Sequence, residues 1–166
     1  MVPENDGPPP EARPAGLPDL VSLCRNLNRE RARYVVIGGM AIIQAGFVRA
    51  TKDIELLIDT AQDNIARIRR ALLELPDQAI RDMSDEDLDR YAVVRIADEF
   101  VIDLMKTACG VDYGEASGMA HAVSIEGVPI PFATPELLWR TKQTVRDKDR
   151  LDRAFLASLL GLDPTR

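Results

Sequence analysis

The run from Tyr34 to Glu55 constrains the fold more than any other part of the chain. Val35 to Ile37 predict a short buried strand, Gly38-Gly39 a tight turn, Met40 to Ala45 a short helix closed by Gly46, and Asp53 to Ile58 a second strand. Successive strand residues face opposite sides, so Asp53 and Glu55 share one face with α-carbons about 6.6 Å apart, while Ile54, Leu56 and Ile58 face a core. Two carboxylates at that separation reach one divalent cation. A turn without β-carbons lets backbone N–H groups approach phosphate oxygens at the start of the following helix. The spacing therefore sets a phosphate-binding loop, Gly38 and Gly39, beside a metal site, Asp53 and Glu55.

Asp103 is the natural third acid. It sits in the apolar run Val101-Ile-Asp-Leu-Met105, where an unpaired buried carboxylate costs several kcal/mol, so it needs a cation, an arginine or a hydrogen-bond network. Oxygen-only ligands suit Mg2+, and two such ions about 3.5 to 4 Å apart can be bridged by carboxylates. Each feature has a plainer reading as well. Glycine serves strand-to-helix turns sterically in many folds, an Asp-x-Glu pair is ordinary on a half-exposed strand, and Arg49 either neutralises phosphate or pairs with Glu55 or Asp53.

The rest of the chain supplies a frame for these residues. Leu20, Val21, Leu23 and Leu27 predict a lead-in helix after Pro18-Asp19, and Ile65, Ile68, Leu72 and Leu75 a helix that starts at a capping box, Thr60-x-x-Asp63, and ends near Pro76. Asp77 to Asp89 has no clean period and reads as a short strand plus a loop. Tyr91 to Ala97 with Phe100 to Met105, and Ala122 to Ile125 with Val128 to Phe132, predict two hairpins, with Thr107 to Gly118 a loop near the cleft. Thr134-Pro135 starts a helix, and a last helix carries Leu151, Phe155 and Leu159 to Gly161, with Pro164 beyond.

The first eighteen residues hold six of the eleven prolines and few large apolar side chains, so residues 1–18 are expected to form a flexible tail before one domain over 19–162. A chain of 166 residues with 46% hydrophobic side chains can bury one sizeable core, with no room for a large acceptor-binding domain. No signal sequence or membrane span is legible, which predicts a cytoplasmic protein. Cys24 and Cys109 are too few for a disulfide scaffold and read as reduced thiols, and the sole histidine, His121, reads as a strand residue. A net charge of -6 argues against a generally basic nucleic-acid surface, although a local patch can still act.

The run Gly38-Gly39, Ala41, Gly46, Arg49, Thr51, Asp53-Ile54-Glu55 resembles the signature of the DNA polymerase beta type nucleotidyltransferase superfamily, most closely its small bacterial branch that includes abortive-infection toxins. Glu55 departs from the second Asp usual in that branch. The resemblance implies an α/β fold with a mixed sheet, helices on one face, an open carboxylate-lined cleft on the other, and C-terminal helices after it. It also implies that Asp53 and Glu55 hold both Mg2+ or Mn2+ ions. Asp103 would bind the ion that activates the acceptor and could act as its base. Gly38, Gly39, Arg49 and Thr51 would form the nucleotide side.

The segment Arg140 to Arg153 resembles the family's C-terminal Lys-rich turn and Lys-Asp-x-x-Asp run. By that resemblance Lys142 contacts the triphosphate and Lys148-Asp149 shape the nucleotide site. The plainer reading is a solvated helix face with i,i+4 pairs such as Asp149 with Arg153. The expected reaction is metal-dependent transfer of a nucleoside monophosphate from an NTP, ATP among them, to a hydroxyl of RNA, protein or a small molecule, with release of pyrophosphate. The alternative is a catalytically silent nucleotide-binding or protein-interaction module, including one half of a toxin–antitoxin pair.

Overall fold

A computed structural model describes residues 11–163; the expectations resting on residues 1–10 and on Pro164 lie outside the described residues. The chain runs α1 (Leu17–Arg29), β1 (Tyr34–Ile37), α2 (Gly38–Gln44), β2 (Ile54–Ile58), α3 (Gln62–Leu72), α4 (Asp87–Arg90), β3 (Val93–Ala97), β4 (Val101–Met105), β5 (Thr107–Ala108), β6 (Val111–Asp112), α5 (Tyr113–Ala116), β7 (Ala120–Ile125), β8 (Val128–Ala133), α6 (Pro135–Thr141) and α7 (Asp147–Leu160).

Six strands form one mixed sheet in the order β3-β4-β2-β1-β8-β7. β1 and β2 are antiparallel, β2 lies parallel to β4 and β1 parallel to β8, and the β3–β4 and β7–β8 hairpins close the two edges. The central strands read as apolar runs because they are covered. Tyr34 to Ile37 are all buried, as are Ile54, Leu56, Ile102 and Leu104. α1 buries Leu20, Leu23 and Leu27 and packs on α3, whose Ile65, Ile68 and Leu72 are buried in turn; burial of each such side chain contributes about 1.5 to 3 kcal/mol.

Several local expectations are corrected. α1 starts at Leu17, because the Asp19 carboxylate accepts from the Gly16 N–H at 2.8 Å and Pro18 fits the first turn. Upstream of it, Arg13 N–H bonds Glu99 O at 2.9 Å and Ala15 N–H bonds Lys52 O at 2.8 Å. The Arg13 guanidinium holds Asp19 and lies 5.5 Å from the Phe100 ring, so residues 13–18 belong to the folded domain rather than to a tail.

α3 takes no cap from Thr60; the Asp59 carboxylate accepts from the Ala61 N–H, and Arg33 binds Asp59 and Asp63. Residues 77–89 hold a 3-10 turn, Ala79–Asp82, and α4 but no strand, because the buried Asp98 carboxylate accepts from the N–H groups of Asp77 and Ala79 and so fixes a turn. The expected loop over 107–118 is instead the β5–β6 hairpin followed by α5, which Asp112 caps through the Glu115 N–H.

Candidate active site

β2 and β4 pair in parallel with Glu55 opposite Asp103, and β3 adds Arg95 opposite Asp103 on the other side. Side chains at paired positions share a face of the sheet at about 4.8 Å strand spacing, so Glu55, Asp103 and Arg95 form a row across three strands. Asp53 stands one residue before β2 and joins the same row: Arg95 Nη2 donates to Asp53 Oδ2 at 3.3 Å. Arg95 also grips Asp103 with two bonds, Nε to Oδ1 at 3.0 Å and Nη2 to Oδ2 at 3.1 Å. The hydrogen bonds and charge of Asp103, with the nearby charges of Asp53 and Glu55, push the Arg95 guanidinium above its ordinary value.

Glu55 points the other way. Gly38 has φ +67°, and a β-carbon there would fall 1.5 Å from Glu55 Oε2, so the carboxylate rests against the bare α-carbon. Gly39 makes room in the same manner: a β-carbon would lie 2.3 Å from Thr51 Oγ1 and 3.1 Å from an Arg49 nitrogen. The two glycines are thus fitted to Glu55 and to Thr51 with Arg49, which accounts for the spacing of the motif by close packing.

A cavity of about 250 Å³ opens beside this turn, lined by Gly39, Arg49, Ala50, Thr51, Lys52, Asp53, Glu55, Lys142 and Lys148. Four cationic side chains face two carboxylates there. That balance suits a polyanion with a bound cation between them. Of the residues expected at the site, Gly39, Arg49, Thr51, Asp53, Glu55 and Lys142 meet in this cavity. Gly38 lies beneath Glu55, and Asp103 stands next to Glu55 but is turned to Arg95.

The far wall comes from α6 and α7. Lys142 is buried and its Nζ lies 3.1 Å from Asp149 Oδ1 and 3.0 Å from Asp152 Oδ2, both carboxylates being fully buried. Arg49 joins them: Nη2 donates to Asp152 Oδ2 at 3.0 Å, and Nε lies 2.9 Å from Oδ1 without hydrogen-bond alignment. Arg49 therefore pairs with neither Glu55 nor Asp53. Burial raises the Asp149 carboxyl, but hydrogen bonds from Thr144, Lys142 and Arg146 and the Lys142 charge outweigh it and leave Asp149 below its ordinary value. The expected Asp149–Arg153 pair does not form among the described residues; Arg153 instead donates to the carbonyls of Lys142 and Thr144.

Sequence reasoning missed Arg95 and the anchoring role of Asp152. Lys52, beside Asp53, was also passed over. The available signals were two acids at i,i+3 on a helix that otherwise reads as amphipathic, and an arginine alternating with apolar residues on the strand before Asp103.

The donor set fits a hard divalent cation. Asp53, Glu55 and Asp103 offer only oxygen, and the first and last already hold a positive group between them. No three ligand-type side chains converge on one point among the described residues, because Glu55 lies on Gly38 while Asp53 and Asp103 bind Arg95.

No protein-family model matches the chain, and no curated protein matches it either. A solved structure does: a "putative nucleotidyltransferase" from Thermotoga maritima is 18% identical, with a TM-score of 0.52 over 87% of this chain and 89% of that one. Likeness at that identity speaks for architecture alone. The mixed sheet, its helices and the C-terminal pair α6–α7 have a nucleotidyltransferase-like fold.

Proposed function

We propose that the chain is a metal-dependent nucleotidyltransferase that moves a nucleoside monophosphate from an NTP to a hydroxyl acceptor and releases pyrophosphate. The observation that carries this reading is the row Glu55–Asp103 on adjacent parallel strands, with Asp53 beside it, at the edge of a cavity walled by Arg49, Lys52, Lys142 and Lys148. Asp53, Glu55 and Asp103 would hold Mg2+ or Mn2+; when bound, the metal supplies charge neutralisation for the triphosphate and a lowered pKa for the acceptor hydroxyl.

The chain's own residues do the rest. Lys148 and Lys52 offer cationic groups to the phosphates, and Lys142 and Arg49 are held rigid by Asp149 and Asp152 at the cavity wall. Thr51 and Gly39 set the floor against which the turn is packed. Asp103, in register with Glu55, would take the proton of the acceptor hydroxyl once released from Arg95. RNA, protein and small-molecule hydroxyls are all open as acceptors.

Incubation with α-labelled and γ-labelled NTPs, with Mg2+ or Mn2+ or with EDTA, tests the reading. Label should pass from the α position alone, and only with metal. Transfer from the γ position would mean a kinase-like reaction instead.

A second reading has its own support. Glu55 covers Gly38, and Arg49 and Lys142 are already paired with buried acids, as in a silent nucleotide-binding or interaction module such as one half of a toxin–antitoxin pair. Calorimetric NTP binding without turnover of any label would select it.

A further inference from the structure

We propose that Arg95 is the resident counter-ion of the carboxylate site, and that a divalent cation binds there only by displacing it. The proposal rests on the metal-dependent reading above. Asp103 is 6% exposed on a strand between buried Ile102 and Leu104, so its charge needs a partner whenever no metal is present. Arg95 meets that need with a two-pronged grip on Asp103 and a third bond to Asp53, joining the two acids across β4 and β2. A cation between those acids would compete for the same oxygens and would face the guanidinium charge.

The arginine is built to leave. It stands on β3, the edge strand of the sheet, and its side chain is 61% exposed, so the head can swing into water while the stem stays on the strand. Lys142, across the cavity, has a side chain only 5% exposed between two buried acids and cannot do the same. Of the cations bonded to the site's acids, the one on the carboxylates is the exchangeable one. Glu55, now on Gly38, completes a three-acid set when it turns toward the vacated position.

The consequence is a competition that can be read without any transfer assay. A site occupied part of the time by an internal competitor shows a metal affinity reduced by the fraction of time it is free. Arg95→Gln removes the charge and should tighten Mn2+ binding to the full chain by about tenfold. Arg95→Lys keeps the charge but loses the fork, and should fall between. The matching stability readout has the opposite sign: Arg95→Gln should melt below the parent in EDTA, with a larger upward shift on adding Mn2+.

Calorimetric Mn2+ titration of the three proteins, with no nucleotide present, is the test. Should Arg95→Gln fold poorly, Arg95→Lys and the parent still decide. In the parent, a diamagnetic Mg2+ titration should move the Arg95 Nε–H resonance toward that of a free guanidinium. Equal or weaker Mn2+ binding by the folded variants, or an unmoved Nε–H signal in a parent that binds Mg2+, overturns the counter-ion role while leaving the metal reading intact. Absence of Mn2+ binding in parent and variants alike overturns both.

Discussion

The two sides of the cavity hold charge in opposite ways. On the sheet side, Asp53 and Asp103 share a largely exposed arginine on an edge strand. On the helix side, Asp149 and Asp152 are fully buried and locked to Lys142, Arg49 and Arg146. The first arrangement is the easier to open, since the arginine head is 61% exposed and can leave for water when another cation takes its place over the buried Asp103. The second is costly to disturb, because removing one partner strands a buried charge. A site that must admit a cation needs the first, and a wall that must stay in place needs the second.

Neutralising a carboxylate of the row should have the largest effect. Asp53→Asn, Asp103→Asn and Glu55→Gln should each lower α-label transfer on the order of a thousandfold, about 4 kcal/mol at the transition state, with little change in melting temperature. On the proposed function the three acids share one metal site, so their effects should be non-additive. Glu55→Asp should keep measurable activity, as it restores the commoner acid with one methylene less reach. If Glu55→Gln turns over as fast as the parent at saturating Mg2+, Glu55 belongs to the packing of Gly38 and not to the metal.

The helix side should respond in stability instead. Asp152→Asn leaves the buried Lys142 and the half-buried Arg49 without their shared carboxylate, and should cost about 3 kcal/mol in urea unfolding. Arg95→Gln, on the sheet side, should cost less in the same measurement without metal, because the new amide can still donate to the buried Asp103. Equal costs would erase the distinction between the two sides.

Much of this frame was legible in the chain. The two strands follow from period, the Gly-Gly pair expected as a turn opens α2, and a carboxylate between buried Ile102 and Leu104 called for a cation, an arginine or a hydrogen-bond network, of which the structure supplies Arg95. The helix side was not legible, and α7 shows why. Leu151, Phe155 and Leu159 promise an inward stripe, yet Leu151 is 65% and Leu159 50% exposed while Asp149 and Asp152 point inward. Lys142 and Arg49 draw those acids in, and Arg49 comes from 103 residues before Asp152. Arg95 was hidden likewise, since its partner is fixed by the β3–β4 register.

Acid titration separates the helix side further. Asp149 has its folded-state pKa lowered, so the stability it contributes is fully present above the ordinary carboxylate value, about 4, and is lost as pH falls through the lower folded value. Urea midpoints taken from pH 6 downward should therefore drop below pH 4 in the parent. Asp149→Asn should start lower and fall less steeply over that window. An unchanged slope would mean that Asp149 is not ionised in the fold.

The smallest effect should come from Lys148, and it decides which cation meets the nucleotide. Lys142 is the lysine that the family resemblance favours, but its charge is already shared by two buried acids. Lys148 lines the same cavity at the exposed start of α7. An exposed cation at a cavity mouth pays little to reorient toward phosphate, and its attraction is screened by salt. Lys148→Gln should leave the melting temperature within about 1 °C, since exposed substitutions seldom cost more than a few tenths of a kcal/mol. It should weaken NTP binding by about fivefold at low ionic strength, a difference that shrinks as salt is raised. Lys142→Gln should instead lower stability first. If Lys148→Gln binds NTP as the parent does while a folded Lys142→Gln does not, the buried lysine carries the triphosphate and the helix wall is more than a brace.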